Sequence, residues 1–174
     1  MNETDSNLKQ VVLYTDGACL GNPGPGGYGA VLLFGEKRRE ISGGFRRTTN
    51  NRMEIMAVIA GLELLRYRCA VTVYTDSRYV ANSIMKGWAL RWRAKGWVRD
   101  HKQVPNSDLW ERLLGLCTQH KVTFEWVKGH AGTVENECCD RLSVQASRSS
   151  DLPPDRGYGI QPKPDGLGLL ETEL

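Results

Sequence analysis

The spacing of hydrophobic residues changes several times along the chain, and each change predicts a new element of secondary structure. Three β-rich runs at 11–14, 30–34 and 38–45 predict successive strands. Between the first two, the GNPGPGG segment at 21–27 contains too much Gly and Pro for a helix or a central strand and predicts a turn. Apolar residues then recur every three or four positions, which predicts an amphipathic helix over 51–67.

The second half of the chain alternates between strand and helix patterns. The pattern predicts a strand at 71–74 and then a short helix around 78–85, followed by a basic stretch rich in tryptophan. After that stretch it predicts a helix that Ser107 would cap, a strand at 122–127 and a helix at 134–147. The order βββαβααβα predicts an α/β fold. Its mixed five-stranded sheet, an antiparallel meander plus parallel strands, is expected to be flanked by helices.

Composition divides the chain into three segments. Residues 1–8 are polar and predict a flexible N-terminus, and residues 9–148 predict one globular domain. The segment 149–174 holds four of the seven prolines and shows little periodicity. It cannot bury enough apolar surface to offset its ordering cost, so it predicts a flexible tail whose partner, if it has one, is unknown.

Bulk properties narrow the class of protein only slightly. The chain is 40% hydrophobic and 25% charged, as globular proteins are, and its net charge of +3 is too mild to indicate nucleic acid. Five cysteines without a CxxC pattern indicate reduced thiols. The sequence lacks a signal peptide and an apolar run of about 20 residues, so we expect a cytoplasmic protein without a membrane span.

Two aspartates stand where predicted strands end. Asp16 follows the first strand and Asp76 follows the strand at 71–74, each just before a turn-forming residue. If those strands are neighbours, both carboxylates point into the crevice at the end of the sheet. A simpler role is also open, because a strand-end Asp often only hydrogen-bonds the backbone of its own turn.

Two further carboxylates lie on predicted helices, Glu54 in the first turn of the long helix and Asp140 in the last helix. Glu54 stands three residues after Asn51, the spacing of a capping box, and could simply satisfy helix N–H groups, while Asp140 could be a solvated charge. If the acidic residues converge, however, their repulsion requires protonation or a cation. Hard oxygen ligands of this kind suit Mg²⁺ or Mn²⁺.

Four local strings resemble the signature blocks of one enzyme family. The strings YTDGACLGNPGPGGYGA, TTNNRMEIMAVIAGLELL, YTDSRYV and WVKGHAGTVENECCDRL resemble those of type 1 ribonuclease H, in the family's order and spacing, over about residues 9–147. A lone TDG would be weak evidence, whereas four long blocks in register are strong. The chain is therefore similar to bacterial ribonuclease HI, and a ribonuclease H-like fold is expected.

The resemblance implies a reaction and a set of site residues. It implies that Asp16, Glu54, Asp76 and Asp140 hold two Mg²⁺ ions, or Mn²⁺, when substrate is bound. The enzyme would cut the RNA strand of an RNA–DNA hybrid by two-metal-ion hydrolysis, leaving 5′-phosphate and 3′-hydroxyl ends. His130 matches the family's loop histidine, which assists proton transfer or product departure. We expect a monomer whose partner is the hybrid.

Three asparagines and an arginine are candidates for holding the substrate. The amides of Asn22, Asn50 and Asn51 both donate and accept hydrogen bonds, which suits 2′-hydroxyl and phosphate contacts, although turn and cap roles are equally open. The family resemblance assigns them to groove and phosphate contacts. Arg78 stands where close bacterial relatives have glutamine, so we expect a phosphate contact there in place of a groove contact.

The stretch 86–102 interleaves cations with aromatic residues and predicts a phosphate-tracking surface. It resembles the basic protrusion of bacterial family members, which grips the DNA strand. The alternative is a small satellite core in which the indoles only pack against each other, and both roles can coexist. The candidate contact residues are Lys86, Trp88, Trp92, Arg93, Lys95 and Trp97.

Other functions remain possible on the same fold. A non-catalytic hybrid-binding module predicts the loss of one or more carboxylates, and none is missing here. Nucleases and integrases of this class usually carry extra DNA-binding domains, which we do not expect in this chain. A scaffolding protein acting through its tail would leave the four acidic blocks unexplained. Hybrid cleavage is therefore the leading hypothesis.

Overall fold

A computed structural model describes residues 7–129 and 132–160. Its main sheet consists of five strands: β1 (Lys9–Cys19), β2 (Gly24–Phe34), β3 (Lys37–Thr48), β4 (Cys69–Thr75) and β7 (Lys121–Trp126). Strands β5 (Val98–Arg99) and β6 (Lys102–Gln103) form a small separate hairpin between β4 and β7 in the sequence. The strand order is β3-β2-β1-β4-β7. The first three strands pair antiparallel, and β4 and β7 run parallel to β1. The predicted mixed five-stranded sheet is confirmed.

Helices pack on both faces of this sheet. Within the described residues they are α1 (Asn50–Glu63), α2 (Arg78–Met85), α3 (Trp88–Ala94), α4 (Ser107–Gln119), α5 (Val134–Ser147) and a short 3₁₀ helix at Tyr158–Ile160. Helix α1 lies between the sheet and α4, and α5 covers the opposite face of β1 and β2. No helix in this part of the chain is both long and apolar enough to cross a bilayer.

Helix α1 is buried on nearly every side. Its residues from Arg52 to Ile59 are all buried, because the sheet covers one side and α4 covers another. The helix ends at Glu63, earlier than the predicted residue 67. The N–H groups of Leu64 and Leu65 bond three residues back, which tightens the last turn and ends the helix.

The glycine- and proline-rich segment differs from the turn predicted at 21–27. Strand β2 begins at Gly24, and a register shift between Gly24 and Gly26 lets the chain pair while Pro25 stays outside the β2–β3 ladder. Gly27 pairs with both neighbouring strands. A Cβ at Gly27 would overlap the Ser143 carbonyl oxygen, so the small residue lets α5 approach the sheet closely.

The chain after α5 packs back onto the domain. The sequence predicted a flexible tail from residue 149, and this prediction is wrong for the first part of that tail. The Pro153 carbonyl accepts a hydrogen bond from the Arg46 N–H at 3.0 Å, and the Thr48 hydroxyl donates to Asp155 at 2.7 Å. The buried guanidinium of Arg52 forms ion pairs with Asp155 and Asp108, both at 2.7 Å. We call these three residues the Arg52 clasp. A buried cation needs such partners, and hydrophobic pattern alone does not reveal them.

Candidate active site

Two of the predicted carboxylates lie side by side at one end of the sheet. Strand β1 pairs with β4 only as far as Thr15 and Thr75, so Asp16 and Asp76 follow at equivalent positions where the two strands part. Strand β1 itself continues to Cys19 in register with β2, which places Asp16 inside a strand and not beyond its end. The two strands are neighbours, which is the condition under which the sequence placed both carboxylates at one end of the sheet.

Helices α1 and α5 bring the other two carboxylates to the same crevice. Oxygens of Asp16, Glu54 and Asp76 lie within 4.8 Å of one another. The carboxylate of Asp140, on α5, lies close enough to Asp16 to raise the pKa of that residue. We call these four residues the carboxylate cluster. They come from β1, α1, the end of β4 and α5, so the convergence that sequence spacing left open is a property of the fold.

Burial and mutual repulsion both disfavour negative charge in the cluster. Asp16 and Glu54 are only 8% and 6% exposed. Burial, then the charges of Asp76 and Asp140, raise the pKa of Asp16 to about 8, although the N–H of Gly17, 2.8 Å from Oδ1, lowers it. Burial and the charges of Asp16 and Asp76 also raise the pKa of Glu54 well above its ordinary value. A cation between these groups would offset both effects.

One buried oxygen of the cluster lacks a partner. Within the described part of the chain, Glu54 Oε2 accepts no hydrogen bond. Leaving a buried acceptor unpaired costs about 1–3 kcal/mol, and more when the group is charged. Several hard carboxylate oxygens at this spacing are the donor set that Mg²⁺ and Mn²⁺ prefer. The residues therefore fit a divalent metal ion.

Glu54 can lie this close to β1 because residue 17 is glycine. A Cβ at Gly17 would overlap the backbone nitrogen of Glu54 and would lie 2.6 Å from the carbonyl carbon of Met53. The Gly17 N–H also donates to Asp16, and it partly offsets the rise in the pKa of Glu54. The sequence pattern treats the Asp-Gly pair only as a turn signal, so this packing role was missed.

The start of α1 excludes the capping-box alternative for Glu54. Thr49 is the N-cap, and its Oγ1 accepts from the Arg52 N–H at 3.3 Å. Glu54 lies five residues after the N-cap, beyond the first turn of the helix, with its carboxylate in the cluster. The spacing from Asn51 therefore has no capping function here.

The candidate substrate-binding amides surround the start of the same helix. The side-chain oxygen of Asn22, in the loop between β1 and β2, accepts from the Asn50 N–H at 3.0 Å. Asn51 follows in the first turn of α1. The cap chemistry anticipated for Asn22 is thus present, and it holds the loop beside the turn that leads to Glu54.

The basic stretch folds into α3 and the β5–β6 hairpin, which together we call the protrusion. Trp92 is 9% exposed, and its ring centre lies 6.2 Å from that of Trp110 and 6.5 Å from that of Trp88. Trp97 donates its Nε1–H to Glu111 at 3.1 Å. Trp92 belongs to the main hydrophobic core, and Trp88 and Trp97 pack against that core. The indoles therefore pack together, as the alternative expected, but they extend the main core and do not form a separate one.

The cations of the protrusion lie on its outside. Lys86 lies 5.0 Å from the ring centre of Trp88. Arg93 and Lys95 are exposed, and Arg93 approaches Glu111 at 3.9 Å. A groove beside them is lined by Trp88, Arg91, Trp92, Lys95, Val98 and Arg99. Cations on an exposed surface supported by packed indoles are available to a polyanion.

The remaining predicted site residues are His130 and Arg78. His130 lies outside the described residues, while Gly129 just before it lies against the Asp76 carboxylate. Arg78 is exposed at the first residue of α2. Sequence analysis missed Trp126, whose Nε1–H donates to the Asp76 carbonyl at 3.0 Å. Its only signal was an aromatic residue at a strand end before the KGHAG loop.

Comparisons with known proteins agree with this geometry. The family model described as RNase H matches residues 8–148. The ribonuclease H of Rippkaea orientalis (strain PCC 8801 / RF-1) is 62% identical over 151 residues, which cover 86% of this chain and 93% of that protein. The crystal structure of LC9-RNase H1, described as a type 1 RNase H with the type 2 active-site motif, has a TM-score of 0.72 at 32% identity, covering 80% of this chain and 72% of that one. The structure of LC11-RNase H1 in complex with an RNA/DNA hybrid has a TM-score of 0.61 at 25% identity, covering 78% and 95%.

Proposed function

Because the chain belongs to the ribonuclease H family, we propose that it is an endonuclease that hydrolyses the RNA strand of RNA–DNA hybrids and leaves 5′-phosphate and 3′-hydroxyl ends. The observation that carries the proposal is the convergence of three carboxylates within 4.8 Å, two of them buried, with the carboxylate of Asp140 close enough to raise the pKa of Asp16. A non-catalytic hybrid-binding module would have no use for such an unfavourable cluster.

The carboxylate cluster is proposed to hold two Mg²⁺ ions with substrate bound, and Mn²⁺ can replace them. When bound, two such ions lower the pKa of the attacking water and stabilise charge on the leaving oxygen. The chain's own contribution is orientation: Gly17 donates its N–H to Asp16, and α1 presents Glu54 from the opposite side. Burial excludes competing water from Asp16 and Glu54.

Residues around the cluster are proposed to hold the hybrid. Asn22, Asn50 and Asn51 would contact 2′-hydroxyl and phosphate groups, since they lie together at the start of α1. Arg78 would contact a backbone phosphate. The protrusion would follow the DNA strand through Lys86, Arg93 and Lys95, with Trp88, Trp92 and Trp97 shaping it. His130 is proposed to assist proton transfer or product departure.

The cellular setting is also a proposal. The five cysteines are free thiols, as is usual in a reducing compartment, and this supports a cytoplasmic location. We propose a monomer. A partner for residues 161–174, which lie outside the described part of the chain, is unknown.

Cleavage of a labelled hybrid with Mg²⁺, beside single-stranded RNA and duplex DNA, tests this function. Only the RNA of the hybrid should be cut. Asp16→Asn should reduce cutting by about a thousandfold, because metal stabilisation of the transition state is worth several kcal/mol. The exposed Asp151→Asn serves as a matched control and should cut at the wild-type rate. An intact hybrid after incubation with the wild-type protein would reject the proposal, and binding without cutting would support the hybrid-binding module instead.

A further inference from the structure

Trp126, the last residue of β7, contacts both a member of the carboxylate cluster, Asp76, and the nearby Arg78. Its Nε1–H donates to the Asp76 carbonyl oxygen at 3.0 Å. The guanidinium carbon of Arg78 lies over its ring, 4.4 Å from the ring centre. The indole is 39% exposed, so it is a surface residue beside the site and not part of the core that holds the sheet together.

The indole hydrogen bond continues the contact between β4 and β7 past the end of the ladder. Thr75 is the last residue of β4 in that ladder, and its carbonyl accepts from the Val127 N–H at 3.0 Å. The chain then leaves the sheet and begins α2 at Arg78. The Trp126 N–H therefore secures the next residue, Asp76, whose carboxylate belongs to the cluster. A shift of about 1 Å in such a group can cost as much as a hundredfold in rate.

The same indole holds the Arg78 side chain in one place. A guanidinium stacked on an aromatic ring is favoured by cation–π attraction. The planar fork of arginine matches the geometry of a phosphate, and a side chain already ordered loses less freedom when it binds. Arg78 is exposed and lies two residues from Asp76. An anion bound by Arg78 would therefore lie beside the carboxylate cluster.

We propose that Trp126 is a positioning residue for the metal centre, acting through the Asp76 backbone, and that Trp126 and Arg78 together bind a backbone phosphate of the substrate next to that centre. The inference rests on the hybrid cleavage proposed above and deepens it by naming a substrate group bound at the edge of the site. The two roles use different atoms of one indole, so substitutions can separate them.

Trp126→Phe removes the N–H donor and retains a ring under Arg78. We expect it to weaken Mn²⁺ binding to the substrate-free protein, measured by calorimetry, by about tenfold, the low end of the effect of removing a residue that supports a metal ligand. The salt dependence of hybrid binding, measured in EDTA so that no cleavage occurs, should not change. Trp126→Tyr also lacks the indole N–H and repeats the test if the first variant does not fold.

Arg78→Gln should give the opposite result. Mn²⁺ affinity should be no weaker than in the wild type, while the slope of log affinity against log salt should fall by about 0.9, the value for one phosphate contact. Arg78→Lys should restore most of that slope, because the charge returns. Arg66→Gln, an exposed arginine between α1 and β4, is the matched control and should change neither quantity.

Wild-type Mn²⁺ affinity in the folded Trp126 variants would overturn the positioning role. An unchanged salt slope in Arg78→Gln would overturn the phosphate contact. Both measurements are made without cleavage. A wild-type protein that binds Mn²⁺ and hybrid but does not cut would therefore count against the proposed function and not against this inference.

Discussion

Two groups of carboxylates lie beside the first turns of α1, and the chain treats them in opposite ways. In the Arg52 clasp, the acids surround a guanidinium that is 1% exposed, and Asp108 and Asp155 each bind it at 2.7 Å. In the carboxylate cluster, the acids face one another, and one oxygen of Glu54 has no partner among the described residues.

The pKa values show what this difference means. Burial would raise the pKa of Asp155, but hydrogen bonds from Arg52 and Thr48, and the charge of Arg52, lower it overall. In the cluster, burial and like charges act together and raise the pKa of Asp16. A buried carboxylate with a cation from its own chain is thus a structural element. Asp16 and Glu54 have no such cation among the described residues, and this arrangement suits a cation from solution.

Removing the cation of the Arg52 clasp should have the largest effect on stability. Arg52→Met would leave Asp108 and Asp155 without their partner, and we expect a loss of about 3–5 kcal/mol in the free energy of unfolding. Urea denaturation measures this. Arg112→Met is a matched control, since Arg112 forms a similar two-point pair with Glu63 on the exposed surface and should cost about 1 kcal/mol or less. Equal losses in the two variants would show that burial adds nothing to the clasp.

Shortening the chain should have the next largest effect. A chain ending after residue 152 loses Asp155, and lost hydrogen bonds to a charged group cost about 1.5–3 kcal/mol. The melting temperature should therefore fall by about 3–12 °C. A chain ending after residue 160 keeps the clasp and should melt like the full-length protein. Asp155→Asn should reproduce most of the first loss, whereas equal melting of all these chains would mean that the segment after α5 contributes no stability.

The pH dependence of stability sharpens the comparison most. The pKa of Asp16 is about 8 in the folded protein and near 3.8 otherwise, so the folded state holds an extra proton between these values. The metal-free protein should therefore lose stability as pH rises from about 4 to 8, by at most about 1.4 kcal/mol per pH unit for this group. Asp155 has a lowered pKa, so its contribution is present above its unfolded pKa and is lost as pH falls through the folded value.

Thermal melting in EDTA from pH 3 to 8.5 measures both effects. Asp16→Asn should reduce the loss above pH 5, and Asp155→Asn should reduce the loss below about pH 4. Mg²⁺ should remove the loss at neutral pH, because it binds the ionised cluster. A metal-free wild type that gains stability between pH 5 and 8 would contradict the raised pKa of Asp16.

Sequence pattern alone predicted the order of the main-sheet strands and of α1, α2, α4 and α5, because alternation and helical spacing are local properties. It did not predict α3 or the β5–β6 hairpin in the basic stretch. It failed where the local signal and the fold disagree. Gly24 to Gly27 resembles a turn but is part of β2, where Gly27 lets α5 pack closely against the strand. Asn51 and Glu54 have capping-box spacing, yet Thr49 caps the helix.

The sequence also identified the four carboxylates, because each stands in a local string that resembles a family signature, and it identified the basic stretch by composition. Only the tertiary structure decided which charges meet. Arg52 and Asp155 are 103 residues apart, and Trp126 and Asp76 are 50 apart. No periodic pattern links such pairs, because their contact depends on how β4, β7 and the segment after α5 are arranged around α1. The sequence was therefore sufficient to identify the acidic residues. The fold determined which acids a guanidinium neutralises and which are placed to bind a metal ion.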